Sequence, residues 1–518
     1  MEAAESALRE QQLSYLADQI SAVMSIDESR AALLYQNEVY SWGDLRRLAG
    51  GLCDRLKGLG LGESAAVGCL LRNRPPHFAA ILGVLAGERC VVTLNPLMPD
   101  DRLADDIRIL RPPVVVGDAD DWARPAVVAA VHEVGAAGIL LTGNRNAPLA
   151  SVPGLESVGA GPHMDAQPGV AVLMLTSGTT GTPKRAPLGY RQLELNIKRA
   201  ARADPDWRED APPKLQDEIG ILFSPFVHIS GMYFVISGTI GGRSTRLLER
   251  FSVDEWRKAV REVKPKIAGG PPTVLKMILD ADLPKEDFEG LVAMSSGTAA
   301  TPPEVIDEYL RRYDLPVLTT YGATEFAGAV CGWSVSSFRK YWASKRGAAG
   351  RMHPGIEARA VDPETGEPLP PGQPGVLELR SEVVGGDGDW VRTSDLARID
   401  EDHFLFILGR NDNAIIRGGF KVMPDSVVKA LEEHPAVLEA SVVGVPDDRL
   451  GAVPVAAYVL ASGAQEPSDA ELSAFLRERL APYQLPVKFH RVDELPRTPS
   501  LKVSMPAVRA MFEENARG

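Results

Sequence analysis

Short apolar runs alternate with helical stretches through the first half of this chain, and that alternation restricts the fold more than any single motif. Leu45, Leu48, Leu52 and Leu56 recur at helical spacing, so residues 45–56 read as one amphipathic helix. The run Ala65 to Leu71 reads as a buried strand, a second helix follows around Phe78 to Leu85, and Cys90 to Leu94 is the next strand. Pro113 to Val116 and Gly138 to Leu141 continue the series, with helical sequence between them. Parallel strands need a crossover helix where antiparallel ones need only a turn, so this pattern predicts βαβ units around a mostly parallel sheet.

With 518 residues the chain has room for several such layers. The strands Ile219 to Phe223 and Leu291 to Met294, with the helix Val253 to Val263, continue the pattern. The texture changes after Arg380: Gly385, Gly386 and Gly388 form a loop, and Phe404 to Leu408 reads as a strand ending at Gly409 and Arg410. A helix from about Asp425 to Glu433, strands at Ala440 to Val445 and Val453 to Val459, and a Ser468/Glu471 capping box ahead of Leu472, Phe475, Leu476 and Leu480 then describe a small α+β unit. The expected fold is α/β: a large N-terminal body of several subdomains with βαβ layers over residues 1–408, a hinge at 409–412, and a small mobile α+β domain at 413–518. Gly58, Gly60 and Gly62 follow a helix rather than a strand, so they read as a helix end and turn and not as a dinucleotide fingerprint.

The net charge is −13, from 56 Lys and Arg against 69 Asp and Glu, which argues against broad binding to nucleic acid or to an anionic membrane. Any anionic ligand must be held by a local site. The first twenty residues carry Glu2, Glu5, Glu10 and Asp18 without a continuous apolar run, and no later stretch approaches the ~18 apolar residues of a membrane span. Four cysteines, Cys53, Cys69, Cys90 and Cys331, show no C-x-x-C spacing, so reduced thiols in a cytoplasmic protein are expected.

The strongest local signal is the strand Val170 to Leu175 followed by Thr176-Ser177-Gly178-Thr179-Thr180-Gly181-Thr182-Pro183-Lys184. The two glycines permit close approach of the backbone to a phosphate, and the hydroxyls and Lys184 supply donors and one positive charge. Pro183 stands where a Walker A loop needs its second glycine, and no Ser or Thr follows Lys184, so a kinase or GTPase is disfavoured.

This segment resembles the signature phosphate loop of the adenylate-forming acyl-CoA synthetase superfamily. Further motifs resemble those of the family in the same order along nearly the whole chain. Ser295-Ser296-Gly297-Thr298-Ala299 and Tyr321-Gly322-Ala323-Thr324-Glu325 resemble the next two motifs. The resemblance implies that Ser296, Gly297 and Thr298 line the adenine, Tyr321 stacks on it, Gly322 borders the acid, Thr324 binds the α-phosphate and Glu325 holds magnesium. Thr393-Ser394-Asp395 resembles a T-G-D motif whose aspartate accepts hydrogen bonds from the ribose. Leu408-Gly409-Arg410-Asn411-Asp412 resembles the hinge motif, with Arg410 near the ribose and Asp412 as pivot.

The segment Glu494 to Lys502 resembles the last motif, whose lysine enters the site from the small domain; here Leu501 stands where the family usually has glycine. By the same resemblance, Gly418 and Gly419 replace Lys502 after the small domain rotates and open a path for the arm of coenzyme A, with Arg417 and Lys421 as candidates near it. Phe223 to Gly231 resembles the acid-pocket segment, with His228 beside the carboxylate. Tyr233, Gly269, Gly270, Gly297, Gly322, Ala327 and Gly328 are further pocket candidates, and so many small residues suggest room for an aromatic or medium-to-long acyl group. The implied reaction joins a carboxylic acid, ATP and coenzyme A through an acyl-adenylate, with Mg2+ as cofactor. Two alternatives stand beside it: transfer of the acyl group to an amine or a carrier protein, and a nucleotide-binding regulator without catalysis.

Overall fold

The structure is a computed structural model, and it describes residues 15–176, 184–202, 208, 211–384, 388–410, 414–418, 420–447, 449–498 and 502–514. The chain divides into two compact units, Met1–Trp342 and Ala343–Gly518. The expected border at 409–412 therefore falls inside the second unit, between its two sheets.

The helix expected from the leucine spacing spans Trp42–Gly58 and buries Leu45, Leu48, Leu52 and Leu56. Each such side chain contributes about 1.5–3 kcal/mol relative to an exposed position. Ser41 and Asp44 close a reciprocal capping box at its start. It ends at Gly58, and Gly60 follows at φ +79°, as a helix end and turn require.

Seven strands form the first sheet, in the order Leu149–Ser151, Ala137–Leu141, Val114–Asp118, Ala66–Leu70, Cys90–Leu94, Val170–Thr176, Lys184–Gly189. The five inner strands are parallel, as the alternation predicted, and both edge strands are antiparallel. A second sheet of the first unit orders Ile219–Leu222, Ser244–Leu247, Ala31–Tyr35 and Glu38–Ser41. A third set runs Ile267–Gly269, Ala293–Ser296, Val317–Ala323, Gly328–Gly332, parallel except for the last pair. The sequence reading missed the hairpin at Ala31–Ser41, whose strands are too short and too mixed in polarity to show a period.

The first unit also encloses an ion network. Arg72 meets Asp121 at 2.6 Å, Arg74 meets Asp118 at 2.6 Å and Glu249 at 2.8 Å, and His77 Nε2 lies 3.2 Å from Asp118. Burial opposes ionisation of Asp118, but the His77 hydrogen bond and both arginine charges outweigh it and hold the carboxyl below its ordinary range. Burial and the neighbouring Asp118 charge push Asp121 up.

In the second unit, Glu357–Val361, Gly375–Arg380, Val391–Ile399 and Phe404–Arg410 pair antiparallel in that order. The strand predicted to stop at Leu408 continues through Gly409 and Arg410, because both are still paired, with Leu396 and Asp395. The C-terminal α+β module has the expected elements: helix Pro424–Glu432, strands Val437–Asp447 and Gly451–Leu460, and helix Asp469–Arg477 with its Ser468/Glu471 capping box. All four cysteines are free; Cys69, Cys90 and Cys331 are buried and Cys53 is half-buried. Burial pushes the Cys90 and Cys331 thiols up to about 12 and raises that of Cys69 as well. Among the described residues no helix is long and apolar enough to cross a membrane.

Candidate functional site

The hydroxyl-rich segment is held by a β-hairpin. Strand Val170–Thr176 pairs antiparallel with strand Lys184–Gly189, and the last described pair before the tip is Thr176 with Lys184. A Walker-type loop leads from a strand into a helix; this one returns as a strand, in keeping with the sequence argument. Ser177, Gly178, Thr179, Thr180, Gly181, Thr182 and Pro183 lie outside the described residues. Arg185 anchors the returning arm by donating to the Thr93 carbonyl at 2.5 Å and pairing with Asp106 at 2.5 Å.

The next two motifs occupy adjacent parallel strands of the third sheet. Ser295 pairs with Leu318 and Ser296 with Thr319, so the strand ends that carry Ser296 and Tyr321 lie side by side. The buried Ser296 hydroxyl accepts from Thr301 at 2.8 Å. Thr298 sits at φ +70°, a conformation that β-branched residues rarely adopt. Thr324, Glu325 and Phe326 form one 3-10 turn, which packs against the returning strand Lys184–Gly189 of the hairpin. The hairpin that carries the expected phosphate loop and the Thr324/Glu325 turn, distant in sequence, are therefore neighbours within the first unit. Glu325 is exposed.

His228 is the residue before helix Ile229–Ile240, on which Tyr233 lies half-buried with its phenol pushed up to about 12 by burial. Asn73, which the sequence reading passed over, fixes this segment. Its buried amide donates to the Phe223 carbonyl at 2.9 Å and the Ser224 carbonyl at 3.1 Å and accepts from the Phe226 N–H at 3.1 Å. An asparagine between the apolar run at 65–71 and the next helix was the available signal.

The glycines expected near the pocket are packed closely against protein. A Cβ on Gly269 would meet the Ser295 carbonyl at 2.0 Å, on Gly270 the Phe223 ring at 2.7 Å, and on Gly322 the Gly328 carbonyl at 2.4 Å. On that side their missing side chains make way for protein, so their small size is no measure of room for an acid. Gly328 likewise faces Asn196 at 3.3 Å, while Ala327 is buried at φ +53°. Gly297 would meet the Thr320 hydroxyl at 2.9 Å.

Within the second unit Asp395 and Arg410 are cross-strand partners, and Arg410 donates to the Ser394 hydroxyl. Thr393 donates to the Leu377 carbonyl at 2.9 Å and accepts from the Asp395 N–H at 3.1 Å, which fixes the turn of chain that carries Asp395. A Cβ on Gly409 would lie 2.7 Å from an Asp425 carboxylate oxygen, so helix Pro424–Glu432 closes directly on this strand.

Lys502 is tied back to the chain before it: the Thr498 N–H donates to the Lys502 carbonyl at 2.7 Å, and Arg497 forms an antiparallel bridge with Val503. The residue as a whole is exposed, yet protein crowding its ammonium and the nearby positive charge of Arg410 both push its pKa below the ordinary lysine value. Leu501 and Asp412 lie outside the described residues, as does Gly419. Gly418, at φ +56°, donates its N–H to the Leu450 carbonyl at 2.8 Å. Arg417 is less available than expected, because its guanidinium donates to the Tyr483 and Leu485 carbonyls at 3.0 and 2.9 Å.

Comparison with known proteins agrees with this layout. The profile described as "AMP-binding enzyme" matches residues 24–385, and "AMP-binding enzyme C-terminal domain" matches residues 428–502. The long-chain-fatty-acid–CoA ligase of Bacillus subtilis is 31% identical over 354 residues, which are 65% of this chain and 61% of that protein. The 2-succinylbenzoate–CoA ligase of Bacillus cereus is 26% identical over 94% of this chain and 96% of its own length. Among solved structures, ATP-bound MatB from Rhodopseudomonas palustris has TM-score 0.80 at 25% identity, covering 96% of this chain and 99% of its own. The amide bond synthetase McbA from Marinactinospora thermotolerans has the same fold, with TM-score 0.77 at 24% identity over 96% of this chain and all of its own.

Proposed function

Because the chain belongs to the AMP-binding enzyme family, we propose that it is an ATP-dependent acid–CoA ligase; an aromatic or medium-to-long-chain acid is supported by the fatty-acid and 2-succinylbenzoate ligases to which it is similar. The observation that carries this reading is the packing of the Thr324–Phe326 turn against the returning arm of the phosphate hairpin, which gathers a hydroxyl, a carboxylate and the hairpin arm that begins at Lys184.

A carboxylate is a poor acylating agent because an oxide is a poor leaving group. In the first half-reaction a carboxylate oxygen attacks the α-phosphorus of ATP and pyrophosphate leaves, giving an acyl-adenylate. The chain's part is positioning and charge stabilisation rather than covalent catalysis. By the family resemblance, the outer phosphates fall to Thr176, the segment 177–183 and Lys184, the α-phosphate to Thr324, and the charge that develops in the transition state to Lys502. By the same resemblance, Ser296, Gly297, Thr298 and Tyr321 have the adenine roles, Gly322 borders the acid, Asp395 has the role of accepting from the ribose hydroxyls, and Arg410 has a ribose role. His228, Tyr233, Gly270, Ala327 and Gly328 belong to the acid side.

Glu325 fits magnesium, since it is an exposed hard oxygen donor and forms no ion pair among the described residues. The bound ion would offset phosphate charge. In the second half-reaction the small domain turns about 409–412, Gly418 and Gly419 take the place of Lys502, and the thiol of coenzyme A attacks the acyl carbon with AMP leaving.

The test incubates the protein with ATP, Mg2+ and a panel of carboxylic acids, with and without coenzyme A, and follows pyrophosphate and acyl-CoA. Acid-dependent pyrophosphate release and acyl-CoA are expected together. Pyrophosphate without acyl-CoA would redirect the reading to an amine or carrier-protein acceptor, and ATP binding without any pyrophosphate would leave a regulator.

A further inference from the structure

Helix Tyr190–Ala201 continues directly from strand Lys184–Gly189, the returning arm of the phosphate hairpin. Two of its side chains, one helical turn apart, reach the same turn of chain. Gln192 donates from Nε2 to the Glu325 carbonyl at 2.8 Å, and Asn196 donates from Nδ2 to the Phe326 carbonyl at 2.8 Å. Asn196 is only 4% exposed. A carboxamide so buried is costly unless it is hydrogen-bonded, so its place on this helix is tied to the carbonyl it serves. The Ala327 N–H closes the same turn onto the Thr324 carbonyl at 3.0 Å. The main chain at Thr324, Glu325 and Phe326 is thereby fixed from two sides.

We infer that Asn196 and Gln192 are positioning residues for the metal- and α-phosphate-binding turn. They hold its carbonyls so that the Thr324 hydroxyl and the Glu325 carboxylate leave the backbone in fixed directions, and they make the phosphate hairpin and this turn one mechanical piece. The inference rests on the roles proposed above for Thr324 and Glu325. It requires no contact between either amide and a substrate, and it concerns affinity for the metal and nucleotide, leaving the acid side untouched.

The experiment uses the full chain with Asn196→Asp, which keeps the shape but removes the donor, with Gln192→Ala, and with Glu325→Gln as reference. Three quantities are read: Mn2+ affinity in the presence of a non-hydrolysable ATP analogue without turnover, the half-saturating acid concentration in pyrophosphate exchange, and amide hydrogen exchange across residues 322–329. Loss of a group that orients a metal ligand costs about 10–100-fold in metal affinity, so Asn196→Asp should weaken Mn2+ by about tenfold and Gln192→Ala by about threefold. Exchange across 322–329 should quicken while the half-saturating acid concentration stays at its wild-type value.

Wild-type Mn2+ affinity and exchange in Asn196→Asp would overturn the inference, and so would an equal weakening for metal and acid, which marks a general loss of structure. If Asn196→Asp does not fold, Gln192→Ala decides by the same criteria. If Glu325→Gln binds Mn2+ as the wild type does, the metal role of Glu325 falls, while hydrogen exchange in Asn196→Asp still decides whether Asn196 orders the turn.

Discussion

Charge is handled in opposite ways in the two units. In the first, Arg72 pairs with Asp121, Arg74 with Asp118 and Glu249, and His77 with Asp118, at distances of 2.6 to 3.2 Å. In the second, Lys502 has no carboxylate partner among the described residues and feels the like charge of Arg410. Matched charges satisfy one another and serve the fold; a cation beside a cation raises the electrostatic energy of both, and an incoming anion relieves it. The difference sets charges that build the protein against one that the role proposed for Lys502 would reserve for a ligand.

Four experiments test that contrast. Asp118→Ala takes the shared carboxylate out of a buried network, leaving His77 Nε2 without its partner while Arg72 keeps Asp121 and Arg74 keeps Glu249, and should cost about 3 kcal/mol in unfolding free energy, measured by denaturant titration, with the kinetics of the folded fraction unchanged. Wild-type stability in that variant would break the comparison at its strongest point. Lys502→Ala should do the reverse, lowering pyrophosphate exchange by about 10²–10³-fold while unfolding stays within about 0.5 kcal/mol.

The third concerns pH. Lys502 is effective when protonated, so its contribution is present below its pKa and lost as pH rises through it; because that pKa is lowered, the alkaline limb of adenylation should lie below the ordinary lysine value of 10.5. Arg410→Gln removes the like charge and should move the limb upward, leaving the part due to burial; a limb that stays in place would mean that burial alone sets it. The smallest effect is expected at Thr298, where glycine would relieve about 1 kcal/mol of left-handed strain. Thr298→Gly should therefore melt slightly higher and adenylate more slowly, and a rate equal to wild type would remove Thr298 from the site.

The sequence made the parallel sheet legible because buried strands such as Cys90–Leu94 are continuous apolar runs, and the capping boxes and helix ends because they depend on a few adjacent residues. It made the order of site motifs legible but not their mutual arrangement. Nothing local indicates that the Thr324–Phe326 turn lies against the Lys184 strand, that Gly409 and Arg410 remain in a ladder, or that the glycines near Gly270 accommodate Phe223, since each depends on residues far away in the chain. Asn73 and Asn196 were missed for the same reason: a polar residue in an apolar stretch marks a buried contact without naming the partner.

The state of the thiols bears on how the reaction can be followed. Thiolates attack disulfide reagents, and Cys69, Cys90 and Cys331 are buried with raised pKa values, so near neutral pH they carry almost no thiolate. Only Cys53 is partly accessible. A colorimetric thiol reagent added to the native protein should therefore show a background of at most one slow equivalent per chain, and under the proposed function the thiol read in aliquots quenched during turnover would fall as coenzyme A is acylated.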